Sequence, residues 1–219
     1  MEINVAKELK NVREVLYDNI PMFIMKKLKK HNCIIAGGSI RDIILNQIPK
    51  DYDIFFSTKE EYEDFTCYII KKKVFVTKTE FCDPDQNIFK FELNNGIKFD
   101  VINCNIDLYN QTNFTIIIDE FDYTINSIGY SVKFDRFYHS AFYGFSECIS
   151  DIKELKLRLQ GLFLPSMKLS RSLSRLYNLY EKGFKFADDN EKEKFFDYFV
   201  TMTEYKKKIN EKMEESNNA

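Results

Sequence analysis

The spacing of hydrophobic residues changes once along the chain, near residue 145. Before this point, short runs rich in β-branched and aromatic residues alternate with helical patterns, which is typical of a mixed sheet with flanking helices. After it, the spacing of apolar residues is helical. The pattern therefore predicts an α+β protein: a small mixed sheet domain over residues 1–145, followed by an all-helical domain over residues 146–219.

Apolar runs separated by turn residues locate the individual elements. Strands are predicted at residues 33–36, 52–56, 74–79, 88–93, 97–103, 114–118, 130–134 and 137–142. A helix or helix pair with a break near Pro21 is predicted over residues 3–30, and further helices at 40–46, 57–72, 152–160, 166–182 and 190–215. The Asn95-Gly96 step supplies the positive φ angles of a tight turn, so it predicts a hairpin of residues 88–93 and 97–103.

Composition narrows the classes of function. The net charge of −2 excludes a globally basic nucleic-acid-binding protein, so any RNA contact requires a local basic patch. The five cysteines show no Cys-x-x-Cys spacing, which indicates reduced thiols and argues against structural zinc. No apolar run approaches the length of a membrane span, and no signal peptide is visible. We therefore expect a cytoplasmic protein without a membrane partner.

Candidate chemistry lies around the first two predicted strands. Gly37-Gly38-Ser39 connects a strand to a helix, and backbone N–H groups at such a turn can hold phosphate. Asp51 and Asp53 are two residues apart on the next strand and therefore share one face, where they can bind a divalent metal. Phosphate beside carboxylates favours Mg²⁺, so the combination predicts nucleotidyl transfer. The alternative is a tight turn followed by a solvated strand face.

This order and spacing resemble the head domain of the CCA-adding enzyme and bacterial poly(A) polymerase family, within the DNA polymerase β-like nucleotidyltransferase superfamily. That family carries Gly-Gly-x-x-Arg-Asp, a helix and then Asp-x-Asp. The matching residues are Gly37, Gly38, Arg41, Asp42, Asp51 and Asp53. The resemblance spans about residues 30–185 and implies a template-independent enzyme with two Mg²⁺ ions, which transfers NMP from an NTP to an RNA 3′ end in tRNA processing. It also implies that residues 146–219 form a neck domain.

A third carboxylate completes the metal site in two-metal phosphoryl chemistry. Asp100 is the candidate, because it lies on the second strand of the predicted hairpin and the family has an acidic residue on the corresponding strand. We expect Asp100 to bind metal with Asp51 and Asp53 and to assist the attacking hydroxyl group. The alternative is that strand alternation merely turns Asp100 to solvent.

A second motif, Asp122-Tyr123-Thr124-Ile125-Asn126, resembles the family's Arg-Arg-Asp-Phe-Thr-x-Asn, which contacts the sugar and triphosphate of the nucleotide. The match implies that Asp122, Thr124 and Asn126 bind nucleotide. The paired arginines are replaced by Glu120 and Phe121, and each charge-assisted contact is typically worth about 1.5–3 kcal/mol. Arg41, Lys50 or another basic residue must therefore compensate, or the nucleotide is held differently.

A third motif lies on the predicted neck helix, which ends at Gly183. Arg171 and Arg175 are four residues apart and share a helix face, and the resemblance implies that they contact the base. The family's templating Asp is missing here, so strict selection of C and A is not expected. Residues 150–185 carry more basic than acidic side chains, which favours an RNA-facing surface but also fits a solvated helix.

The sequence thus predicts an NTP site and favours an RNA 3′ end as the acceptor. The residues assigned to metal and catalysis are Asp51, Asp53 and Asp100, and those assigned to the nucleotide are Gly37, Gly38, Ser39, Arg41, Asp42, Asp122, Thr124, Asn126, Arg171 and Arg175. Three hypotheses remain open: transfer to an RNA 3′ end, transfer to a protein or small molecule, and a nucleotide- or RNA-binding module without catalysis. The oligomeric state stays open as well.

Overall fold

The computed structural model describes residues 3–82, 87–105, 113–160, 169–198, 200 and 201. Its helices are α1 (Val5–Asn19), α2 (Met22–Leu28), α3 (Gly38–Ile44), α4 (Lys59–Ile70), α5 (Thr115–Asp119), α6 (Phe145–Lys153) and α7 (Leu169–Glu181), and residues 189–198 are also helical. Its strands are β1 (Cys33–Ala36), β2 (Asp51–Phe56), β3 (Val76–Phe81), β4 (Ile88–Leu93), β5 (Lys98–Asn103), β6 (Ile128–Ser131), β7 (Arg136–His139), β8 (Lys156–Leu157) and β9 (Lys185–Phe186).

One mixed sheet of seven strands forms the centre of the fold, in the order β3-β4-β5-β2-β1-β6-β7. β2 and β5 are parallel, whereas the other neighbouring strands of this sheet are antiparallel. Helices flank the sheet, so the α+β fold class is confirmed. The predicted break between α1 and α2 and the hairpin of β4 and β5 are confirmed as well.

Side-chain alternation along β2 fixes which residues face the core. Tyr52, Ile54 and Phe56 are buried in a cluster to which α1, α2 and α4 also contribute. Aromatic stacking reinforces this face, with ring centroids 5.4 Å apart between Tyr52 and Phe99. Because side chains alternate between the faces of a strand, burial of these residues directs the carboxylates of β2 to the opposite face.

The opposite face is only partly covered. Phe114, Ile117 and Ile118 around α5 are buried against Ile34 and Ala36 of β1. The predicted strand at residues 114–118 is therefore wrong. The buried positions are three or four residues apart, which is a helical spacing, and the run of isoleucines hid it because β-branched residues favour strands.

The helical part also contains elements that the hydrophobic pattern did not predict. α6 begins seven residues before the predicted start at residue 152, and β8 and β9 form a two-stranded parallel ladder. Gly183, with a φ of +89°, follows the end of α7, as the sequence predicted. Within the ranges that the structure describes, no helix combines the length and the apolar character needed to cross a membrane.

Candidate active site

A row of charged residues crosses three strands on the partly open face of the sheet. Asp53 of β2 is in register with Asp100 of the parallel strand β5, and Asp100 is in register with Lys90 of β4. Neighbouring strands lie about 4.8 Å apart, so these side chains are immediate neighbours. Asp51 lies two residues before Asp53 and is exposed. The structure thus brings the three predicted catalytic carboxylates to one face.

Crowding of these carboxylates changes their electrostatics. Burial raises the pKa of Asp53 to about 7, and the negative charges of Asp51 and Asp100 add to this effect. Arg175 and Lys90 act in the opposite direction. Lys90 forms an ion pair with Asp100. The pKa of Asp53 shows that these cations do not offset the combined effect of burial and the neighbouring carboxylates.

The carboxylate pair fits a hard divalent cation in its donor chemistry. Mg²⁺ is usually bound by one or two carboxylates together with substrate phosphates and water, and Asp53 and Asp100 supply such a pair. Among the described residues, no group of three or more His, Cys, Asp or Glu side chains is arranged to hold a metal ion. Lys90 is paired with Asp100, but 46% of its side chain is exposed, so it can turn away when a cation arrives.

A cavity of about 850 Å³ lies between this face and α7. Asp53, Asp100 and Lys90 line one side of it, and Arg175 of α7 and Lys182, the residue that follows α7, line another. Asp51 is outside this cavity and borders a smaller hollow of about 180 Å³, which also contacts Lys90 and Asp100. Asp51 is therefore on the outer side of the carboxylate row.

The glycine pair allows two charged groups to approach the backbone closely. Gly37 has a φ of +84°, and a Cβ at this position would lie 3.3 Å from an Oδ of Asp53. A Cβ on Gly38 would lie 3.2 Å from an Nη of Arg41. Ala36 is paired with Asp53, so the chain leaves β1 directly beside that carboxylate. Any larger side chain at Gly37 would be strained by the backbone and crowded by the carboxylate.

Buried ion pairs and hydrogen bonds join the other predicted motifs. Arg41 donates from Nε and Nη2 to Asp42 Oδ1, at 2.9 and 2.8 Å, and from Nη1 to Asn126 Oδ1 at 2.9 Å. Asn126 donates to Asp122 Oδ1 at 3.4 Å. Arg175 donates to the other oxygen of Asp122 at 3.0 Å. One polar chain therefore connects both sequence motifs of the sheet domain to α7.

Most predicted site residues meet at the cavity. Those that line it are Gly37, Gly38, Arg41, Asp53, Asp100, Asp122, Asn126 and Arg175. Asp42 is buried beneath Arg41, and Ser39 is 1% exposed, with no hydrogen bond to its hydroxyl in the described part of the chain. Arg171 is the third residue of α7, and its side chain lies outside the part of the chain that the structure describes.

Thr124, also predicted to bind nucleotide, does not line the cavity. It is fully buried, and its hydroxyl donates to Asp151 Oδ2 at 2.7 Å. Asp151 belongs to α6, so this hydrogen bond fastens the turn that carries Asn126 to the helical part of the chain. A nucleotide contact through the hydroxyl group would require Thr124 to leave a buried carboxylate, and losing that bond is costly.

Two cations of the cavity were not predicted as site residues. Lys90 could have been found from the sequence, because a hairpin centred on Asn95 pairs residue 90 with residue 100. Lys182 donates to both oxygens of Asp42, at 3.0 and 3.1 Å. No sequence signal joins these two residues, since they are 140 positions apart.

A family model described as "Gabija anti-defense 2 family protein" (Gad2) matches residues 7–143. The chain belongs to the Gad2 family. No curated protein sequence matches it significantly.

Solved structures of CCA-adding enzymes share the fold. The apo form I is 18% identical with a TM-score of 0.57, and the match covers 83% of this chain and 44% of that one. The complex with ATP is 16% identical with a TM-score of 0.57, covering 83% and 44%. The Thermotoga maritima enzyme complexed with tRNA is 16% identical with a TM-score of 0.56, covering 83% and 43%.

The chain therefore spans less than half the length of these structures, and at such identities the likeness shows the fold. The predicted resemblance to CCA-adding enzymes therefore holds for the fold, while the family itself is Gad2.

Proposed function

We propose that this chain is a metal-dependent nucleotidyltransferase that moves NMP from an NTP to a hydroxyl group and releases pyrophosphate from the broken α–β phosphoanhydride bond. The observation that carries the proposal is the parallel register of β2 and β5, which sets Asp53 beside Asp100 at the cavity, next to Gly37. Carboxylates crowded enough to raise the pKa of Asp53 to about 7 destabilise the fold. A bound cation would relieve this repulsion.

The chain's own residues take the following parts in this proposal. Asp53 and Asp100 would hold the metal, and Asp51 lies beside them at the exposed end of β2. Bound Mg²⁺ supplies charge neutralisation at the transferred phosphate and at the attacking oxygen. With a cation bound, Lys90 would leave its ion pair with Asp100, and Asp100 would accept a hydrogen bond from the attacking hydroxyl group.

The nucleotide occupies the 850 Å³ cavity in this proposal. The backbone of Gly37 and Gly38 lets the triphosphate approach the carboxylate row, and Arg41 donates to it. Asn126 and Asp122 contact the sugar. Arg175 contacts the base from α7, a role that the sequence also predicts for Arg171. Without a templating carboxylate we expect loose selection among bases, since one bidentate contact separates bases by only about 1–3 kcal/mol.

We propose an RNA 3′ end as the acceptor. Support comes from the fold shared with CCA-adding enzymes, one of which is complexed with tRNA, and from the basic residues of α7 and its flanks. The family description names an action against the Gabija defence, and we propose that nucleotidyl transfer is the means of that action. Transfer to a protein or small molecule is the alternative for the acceptor, and a binding module without catalysis is the alternative for the activity.

A labelling experiment tests the proposal. The protein is incubated with each labelled NTP, Mg²⁺ and total RNA or total protein, and label should enter RNA. Asp53→Ala with Asp100→Ala should abolish transfer, whereas Asp197→Asn, an exposed carboxylate outside the cavity, should not. If the double variant still transfers NMP, the active site lies elsewhere. If label enters protein instead of RNA, the acceptor is a protein.

The same variants test the link to the family's named action. In cells that carry the Gabija defence, the wild-type protein should suppress the defence and the double variant should not. Suppression by a double variant that has lost all transfer would make the chain a binding module, and would reject catalysis as the means.

A further inference from the structure

The end of α7 brings a lysine to the glycine pair. Lys182 lines the cavity together with Gly37 and Gly38, and its Nζ donates to both oxygens of Asp42. Arg41 binds the same carboxylate from the other direction. Asp42 therefore holds two cations side by side at the wall of the cavity.

The neighbouring chain fixes Lys182 in this place. Gly183 leaves α7 with a φ of +89°, and Phe184 is fully buried. The guanidinium of Arg41 lies 5.9 Å from the centre of the Phe184 ring, a cation–π contact. The turn after α7 is thus docked on α3 through an ion pair and an aromatic ring, so Lys182 does not sample the cavity as a free surface lysine would.

The two cations at Asp42 outnumber its single negative charge. One carboxylate, Asp42, faces two cations, and its side chain is only 7% exposed. Lys182 keeps 27% of its side chain exposed, so it retains donors for a ligand. Lys50 is exposed and lines the same cavity, which adds a second positive charge. An anion with several negative charges matches this arrangement better than a single carboxylate or phosphate does.

We propose that Lys182 and Lys50, together with Arg41, bind the polyphosphate of the incoming nucleotide. They supply the positive charge that is missing at Glu120 and Phe121, where the resembled family has two arginines. This inference rests on the proposed function for its setting, but it concerns a binding site and can be measured without turnover. The ion pair between Lys182 and Asp42 holds Lys182 at this site, and it exists only in the folded chain.

A purely structural role for Lys182 makes a different prediction. If the ion pair with Asp42 only ties α7 to α3, removing it weakens the fold and lowers the affinity for every ligand of the cavity alike. If Lys182 contacts the polyphosphate, the loss grows with the number of phosphates. Affinity for inorganic tripolyphosphate and for AMP therefore separates the two roles.

The experiment measures binding by calorimetry to the full chain with Mg²⁺ present. Lys182→Met should weaken binding of tripolyphosphate at least about tenfold, as expected for one charge-assisted contact, and should leave binding of AMP within about twofold. Lys182→Arg should retain most of the affinity. Lys185→Met is the matched control, because Lys185 is an exposed lysine three positions away that does not line this cavity.

Lys50→Met provides a second variant if Lys182→Met does not fold, because Lys50 is exposed and its removal leaves the core intact. It should also weaken tripolyphosphate binding more than AMP binding. Equal losses for tripolyphosphate and AMP, unchanged tripolyphosphate binding in both variants, or no binding of tripolyphosphate by the wild-type protein would each overturn the inference. If the wild-type protein transfers NMP but the lysine variants bind tripolyphosphate normally, the role of the lysines is rejected and the proposed function stands. If the lysines bind tripolyphosphate but the wild-type protein shows no transfer, the proposed function is rejected and the binding site stands.

Discussion

Replacing Asp53 by asparagine should stabilise the metal-free protein at alkaline pH. In the fold, burial and the charges of Asp51 and Asp100 raise the pKa of Asp53 from 3.8 to about 7. Because the folded state then binds a proton more tightly than the unfolded state, the stability of the wild-type protein falls as the pH rises from about 4 to about 7. Asparagine has the same shape and cannot ionise, so the variant lacks this loss.

The size of the effect follows from the shift. A change of about three pKa units, at about 1.36 kcal/mol per unit, corresponds to about 4 kcal/mol. Water entering the cavity and movement of Lys90 reduce the repulsion, so we expect a measured gain of about 2–4 kcal/mol at pH 8. Near pH 4 the carboxyl group is protonated in the folded state, and the gain should disappear.

Urea unfolding in EDTA, followed by far-ultraviolet circular dichroism because the chain has no Trp, measures the free energy of unfolding at each pH. Asp197→Asn is the control for loss of a charge on an exposed helix face and should change little at either pH. Two results would refute the conclusion that burial and repulsion raise the pKa of Asp53. One is an Asp53→Asn variant that is less stable than the wild-type protein at pH 8. The other is a variant whose free energy of unfolding differs from that of the wild-type protein by the same amount at pH 4 and pH 8.

Three further substitutions test single contacts by thermal or urea unfolding. Gly37→Ala should cost about 1–2 kcal/mol, because φ is +84° and the new Cβ would crowd a carboxylate oxygen, and a neutral result would reject that strain. Thr124→Val should cost about 1–3 kcal/mol and leave nucleotide affinity unchanged, because its hydroxyl binds a buried carboxylate; a selective loss of nucleotide affinity would restore its predicted role. Arg175→Ala should cost about 1–3 kcal/mol by leaving Asp122 without its cation, and should loosen discrimination among NTPs; unchanged stability and selectivity would contradict both effects.

The sequence by itself determined the parts of the site that depend on local periodicity. Side chains two residues apart share a strand face, so Asp51 and Asp53 had to point the same way. The Asn95-Gly96 turn set the hairpin register, which places Lys90 opposite Asp100. The glycine pair marked the turn beside them. These features depend on backbone geometry over a few consecutive residues, so they can be predicted from the sequence.

Only the tertiary structure decided which face was buried and which distant residues met there. The run of isoleucines in α5 is helical because α5 packs against β1. The free energy gained by burying Phe114, Ile117 and Ile118 outweighs the preference of isoleucine for strands. Burial likewise withdrew Thr124 from the cavity. Lys182 reached Asp42 across 140 positions because α7 docks on the sheet domain, and the free energy of such docking is summed over many side chains. Because these side chains are far apart in the sequence, no short segment predicts the docking.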